Sequence, residues 1–156
     1  MKLSKNFSLH ELTRSSVALR LGIPNVPNAK EVKNLTRLCV GVLQPVRDYF
    51  AAPVNVTSGY RCPELNAAVR GSPTSDHVKG CAADIEIWGV SNHELACWIR
   101  DNIVPFNQVI LEFHDPMHPN SGWVHVSLKP QHNREQALTA SFRDGKVTYA
   151  AGLPSD

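Results

Sequence analysis

Ser75–Trp88 reads SDHVKGCAADIEIW, a loop that ends at Gly80 and passes directly into a strand. From Ala82 to Trp88 the residues alternate. Ala83, Ile85 and Ile87 fall on one side, Asp84 and Glu86 on the other, because strand side chains point to opposite faces with period two. The same alternation recurs twice downstream. In Asn107–Phe113, Val109, Leu111 and Phe113 oppose Ile110 and Glu112. In Trp123–Leu128, Val124, Val126 and Leu128 oppose Trp123, His125 and Ser127. If the three strands pair in one sheet, the apolar sides form the core. The other sides line a cleft containing Asp84, Glu86, Glu112 and His125, and His77 arrives from the preceding loop.

His77 and Asp84 stand seven residues apart, and His125 lies inside WVHVS. Two histidines and an aspartate are a donor set that holds a catalytic zinc, leaving a fourth position open for water. Nitrogen and oxygen donors suit zinc and leave other divalent ions open.

The rest of the chain supplies helices. Ser8 and Glu11 form a capping-box pattern that predicts a helix through about Leu21, stopped by Gly22 and Pro24. Val32, Leu35, Leu38, Val42, Leu43 and Val46 have helical spacing within Ala29–Phe50, where Pro45 is expected to kink the helix or end it early. Val54–Ser58 reads as a strand broken by Gly59, and Pro63–Val69 as a short helix opening on proline. A helix over Ser91–Asn102 is capped by Ser91. Asp144-Gly145 predicts a terminal hairpin between Ser141–Arg143 and Lys146–Tyr149. The element order predicts an α+β fold, a single domain over 1–156 with a small, largely antiparallel sheet packed against helices.

Composition narrows the function classes. At 156 residues, the chain has a small net charge of +2, which argues against a dedicated nucleic-acid binder, since that class shows a clustered basic surface. No apolar run reaches the length of a membrane helix. MKLSKNFSLHEL carries no apolar signal core. The four cysteines form no C-x-x-C pair, and reduced thiols are the expectation. Cys81, between two candidate ligands, reads as a small core residue.

The stretch TSGYRCPELNAAVRGSPTSDHVKGCAADIEIW, followed by WVHVS, resembles the zinc D-Ala-D-Ala carboxypeptidase family of peptidoglycan peptidases. That family includes bacterial carboxypeptidases, D-alanyl-D-alanine dipeptidases and phage endolysins. Its signature, S-G-Y-R, then S-x-H-x-x-G-x-A-x-D, then W-x-H, is present in order. NFSLHELTRSSVALRLGIPN resembles the lead-in of a phage-associated branch, so the resemblance spans roughly 6–128. It implies a hedgehog/DD-peptidase-like fold and a zinc ion on His77, Asp84 and His125. It implies a metallopeptidase that hydrolyses amide bonds in peptidoglycan stem peptides, as carboxypeptidase or endolysin-type endopeptidase. By the same likeness Arg61 holds a substrate carboxylate or carbonyl, a task suited to a guanidinium fork. Ser75, two residues before His77, either contributes a hydrogen bond near the substrate or serves the loop turn.

The chain departs from the family pattern at one point. Several branches place a glutamate three residues before the last histidine; here that residue is Gly122. Glu112 is the expected replacement as general base, with Glu86, Asp115, His114 and His118 as rivals. The alternative is a catalytically weak or inactive phage structural or assembly protein that keeps the fold. The expected partner is the peptidoglycan peptide, with neither nucleic acid nor membrane insertion. The phage-like lead-in implies a virion-associated protein, or one held in the host cytoplasm until a holin releases it. Tyr60 and Trp123 are expected to pack at the core or cleft rim.

Overall fold

The computed structural model describes residues 1–155. The Ser8 capping box forms: the Ser8 Oγ accepts the Glu11 amide, and the Glu11 carboxylate accepts the Ser8 amide at 2.8 Å. The helix that it opens is nevertheless short. α1 spans Leu9–Thr13 and α2 spans Ser16–Leu21. Arg14 is extended, and the Ser15 hydroxyl caps α2 afresh by accepting the Ala18 amide. A serine inside an apparently continuous helical pattern restarted it, because its hydroxyl competes for backbone donors. Gly22 ends α2 in the left-handed conformation.

α3, Ala29–Leu38, opens on a second capping box, Asn28 with Glu31. It continues through a π turn, Cys39–Leu43, into α4, Gln44–Phe50. Pro45 therefore neither ends the helix nor stops its apolar face. It lacks an N–H, and its ring would meet the Gly41 carbonyl in a regular α-helix; the wider turn relieves both problems. Leu35, Leu38, Val42, Leu43 and Val46 are all fully buried. α5 is Pro63–Ala68, and α6 is Asn92–Asn102, whose Leu95, Ala96 and Ile99 are buried.

The strands are β1 Val54–Ser58, β2 Ala82–Ile87, β3 Gln108–Glu112, β4 Trp123–Ser127, β5 Gln136–Arg143 and β6 Lys146–Ala151. They form one sheet in the order β1-β2-β4-β3-β5-β6. All neighbours are antiparallel except β3 and β5, which run parallel. The architecture is α+β with a mostly antiparallel sheet. Asp144 (φ 49°) and Gly145 (φ 75°) form the terminal turn, both left-handed as the favoured hairpin turn requires. The hairpin is longer than expected because β5 starts at Gln136, where it pairs with Gln108.

Alternation sorts the two faces as expected. Ala83, Ile85, Ile87, Val109, Leu111, Val124, Val126 and Leu128 join the core with α1, α3, α4 and α6. Phe113 is the exception. Its φ of +57° turns the chain at the end of β3, and its ring packs edge-on to Trp123 at 5.3 Å, on the cleft side rather than in the core.

Candidate metal centre

Each candidate ligand is delivered by a different local device. His77 rides a 3₁₀ turn, Asp76–Lys79, whose start is capped by Ser75; the Ser75 hydroxyl accepts the His77 amide at 3.3 Å. Asp84 on β2 stands directly opposite His125 on β4 in the antiparallel register. Non-local pairing thus closes the 41-residue separation between them.

The three donor atoms form a nearly equilateral triangle. His77 Nε2 lies 3.2 Å from Asp84 Oδ1 and 3.2 Å from His125 Nδ1, and His125 Nδ1 lies 3.0 Å from Asp84 Oδ1. Donors about 2.0–2.1 Å from a tetrahedral ion stand about 3.3–3.4 Å apart, so the triangle approximates one face of such a site. The tautomer agrees. His77 Nδ1 donates to the Gly59 carbonyl at 2.7 Å, which leaves the lone pair of the neutral ring on Nε2, inside the triangle. An outer partner that orients a ligating histidine is the usual companion of a metal. His77, Asp84 and His125 are all buried. Burial alone would raise the Asp84 carboxyl, but the charges and hydrogen bonds of the two histidines hold it well below the carboxylate range. Burial opposes charge on His125, and Asp84 overrides it and raises its pKa. The donor set fits a divalent cation.

The Ser58-Gly59-Tyr60-Arg61 motif is the scaffold behind this triangle. Gly59 approaches the α1 backbone so closely that a Cβ would overlap the Leu12 carbonyl oxygen. The Tyr60 amide donates to that same oxygen at 2.7 Å, and the Tyr60 side chain is core, only 4 % exposed. The Arg61 amide donates to the His77 carbonyl at 3.2 Å. Its guanidinium donates through Nε to Asn66 Oδ1 (3.1 Å) and through Nη1 to the Ser58 hydroxyl (3.0 Å). Nη2 has no hydrogen-bond partner among the described residues. Burial lowers the Arg61 pKa, and the charges of Asp84 and Glu112 oppose that shift.

A cleft of about 930 Å³ opens over the triangle, with Arg61, Ser75 and Glu112 on its walls. Glu112 ends β3 opposite Trp123. Burial, then the Asp84 charge, raises its pKa, against the opposing pull of His125 and Arg61. Ser75 lines the same cleft, but its resolved contact is the cap on the His77 turn. The rivals lie elsewhere. Glu86 accepts from Asn55 at 3.0 Å and borders a separate hollow beside Trp88. Asp115 and His118 pair with each other at 2.8 Å in an exposed loop. His114 stacks on His93.

Gly122 has a structural reason. Its φ is +67°, and a Cβ there would overlap the carbonyl oxygen of Glu112 and lie 2.8 Å from Phe113 backbone atoms. No side chain fits, so a glutamate has no room at this position. Gly122→Ala is expected to destabilise the fold by about 1–3 kcal/mol, read as a lowered midpoint in urea; an unchanged midpoint would remove the steric account.

Several contributors escaped the sequence reading. Asn66 and Asn107 are buried amides, 3 % and 1 % exposed. Asn66 holds Arg61, and Asn107 joins Asp76 to Arg134. An asparagine inside the apolar run Val104–Leu111 was a readable signal, since buried amides need partners. Lys129, Arg134, Leu138, Val147 and Tyr149 also line the cleft, and only the sheet order brings them there.

A sequence model described as Peptidase M15 matches residues 5–127. No curated protein matches the chain.

Proposed function

This chain belongs to the peptidase M15 family, and from that premise we propose that it hydrolyses amide bonds in peptidoglycan stem peptides with a zinc ion on His77, Asp84 and His125. The observation that carries this reading is the triangle of donors, with the His77 Nε2 lone pair turned into it by the Gly59 carbonyl. Bound there, zinc supplies Lewis acidity and a water acidified enough to attack at neutral pH.

The chain's own residues supply the remainder. Glu112 takes the proton of the attacking water and returns it to the leaving amine. Its raised pKa favours that exchange, since a base poised nearer neutrality can also act as acid. Arg61, held at two nitrogens, offers Nη2 to the substrate carbonyl or carboxylate. Ser75 positions the His77 turn and adds a hydroxyl at the cleft wall. Phe113, Trp123 and Tyr149 give the peptide an aromatic side to lie against.

Digestion of purified muropeptides, followed by mass spectrometry, tests the reading. The zinc-loaded protein is expected to cleave one stem-peptide bond, to stop with chelator and to resume when zinc is restored. Intact muropeptides after prolonged digestion by zinc-loaded protein would overturn it. They would favour the second reading, a weak or inactive phage assembly protein, which Gly122 in the glutamate position supports. No helix among the described residues is long and apolar enough to cross a membrane. A virion-associated or holin-released wall-cutting role is the setting we propose.

Arg61→Lys keeps the charge and loses the planar fork. It is expected to lower kcat/KM roughly tenfold to a hundredfold at constant zinc content, the scale of a lost charge-assisted hydrogen bond. Unchanged cleavage would make Arg61 a structural residue.

Zinc binding should also depend on pH. His125 must be neutral to ligate, and Asp84 raises its pKa in the metal-free protein. The proton therefore competes with zinc, and affinity falls as pH drops through that raised value. Competition with a chromophoric chelator across a pH series should show weaker binding at the acid end, with protons released as zinc binds there. A pH-independent affinity would contradict the proposed ligand role of His125.

A further inference from the structure

The metal triangle occupies only the middle of the cleft. Along the strands, the floor passes from the Glu112–Trp123 pair, through Ile110–His125, to Gln108, which pairs with buried Ser127. Beyond that last pair the walls become cationic, with Lys79, Lys129 and Arg134 all facing the same hollow. Lys79 ends the 3₁₀ turn that carries His77. Lys129 and Arg134 belong to the loop between β4 and β5, beyond the segment that matches the family.

This loop is built rather than loose. Asn133 Oδ1 accepts the Lys129 amide at 2.8 Å, and Asn133 Nδ2 donates to the Lys129 carbonyl at 2.9 Å. Buried Asn107 accepts from both the Arg134 amide and its Nε at 3.3 Å. The Glu135 and Gln136 amides donate to the Phe106 and Asn107 carbonyls at 2.9 and 3.0 Å. Both ends of the loop are thereby pinned, so the backbone that carries the two cations is fixed at the rim of the cleft. The side chains of Lys79 and Lys129 make no hydrogen bond or ion pair among the described residues. The one carboxylate in this group, Asp76, accepts a hydrogen bond from Asn107 at 3.0 Å. Three cations against one acid, converging on a walled cleft, concentrate positive potential there.

We propose that this end of the cleft is a carboxylate-binding subsite that selects peptides with a free carboxylate near the scissile amide. The proposal rests on the peptidase reading above and assigns its substrate preference. The Gln108–Ser127 pair lies two residues from the Ile110–His125 pair, about 7 Å along the strands. An extended peptide covers that distance in about two residues. The carboxylate engaged by Lys79, Lys129 and Arg134 therefore belongs to a residue about two positions from the bond over the triangle. Amidation of that carboxylate removes the anion and with it the preference.

Two synthetic stem peptides test this, identical except that the acidic residue near the scissile bond carries either a free carboxylate or its amide. The wild-type protein is expected to show kcat/KM roughly tenfold higher for the free acid, expressed mainly in KM, as charge-assisted hydrogen bonds to a substrate imply. Lys79→Gln and Lys129→Gln should each shrink that ratio, and the double variant should bring it near one. Both positions are free of side-chain partners, so these variants keep the fold, which melting curves would verify. Calorimetric binding of the same peptides to chelator-treated protein should show the same preference without hydrolysis. If neither peptide is cleaved, the peptidase reading fails while the binding comparison still decides the subsite. Equal binding of acid and amide would overturn the proposal. So would a preference that survives in the double variant, or lysine-dependent binding of a polyglycerol phosphate wall polymer in place of the peptide acid.

Discussion

Glu112→Gln is expected to keep zinc and the fold while turnover drops by roughly 10²–10⁴-fold, the usual share of general base catalysis. Glutamine preserves the shape at the end of β3 and removes the proton acceptor. The environment explains why a carboxylate is tolerated there. Burial and the Asp84 charge raise its pKa, and the charges of His125 and Arg61 pull the other way. Because the working form is deprotonated, kcat/KM in the wild type should rise with pH as Glu112 ionises. With zinc kept saturating at every pH, that acid limb should disappear in the variant, whose residual rate no longer waits on this proton. A metal-loaded, folded Glu112→Gln protein with near-normal turnover would reject the assignment. Neither Glu86 nor Asp115 lines the triangle's cleft, so a water without a carboxylate partner would then have to be considered.

His125→Ala is expected to remove most of the zinc and to bring turnover to background. Two protein ligands rarely hold a catalytic zinc, and of the residues opposite His125 in the sheet, Ile110 offers no donor and Asp84 is already a ligand. The loss should also free Asp84 of one of the two histidines that hold its carboxyl low. In the metal-free variant the Asp84 pKa therefore rises toward that of a buried carboxyl. Sheet and core should survive, because Val124 and Val126 point to the opposite face and stay fully buried. Elemental analysis of the purified, folded variant decides the matter; full zinc occupancy would refute the ligand assignment.

Much of this was legible because its cause is local. Period-two alternation around Asp84, Glu112 and His125 assigned their faces before any strand was paired. The Ser8, Ser91 and Pro63 helix starts follow from which backbone donors a neighbouring side chain can satisfy. Local rules misjudged two segments where local signals competed. Ser15 reset a helix that the apolar pattern carried on, and Phe113 left the core face because the chain turns at positive φ.

The sequence by itself determined the face on which each of the three strands carries its polar residues, and that His77 precedes the first of them on a short loop. Those properties depend on bonds and dihedrals within a few residues. Only the tertiary structure decided that Asp84 stands across from His125, that Gly59 sets the His77 tautomer, and that Asn66 clamps Arg61. It also decided that Gly122 must be glycine, because the atom that excludes a side chain is the Glu112 carbonyl ten residues away. The parallel pairing of β3 with β5 brings the loop of Lys129 and Arg134 to one end of the cleft and Tyr149 to the other. Strand order is set by how the whole core is buried, and no short window of residues carries that information.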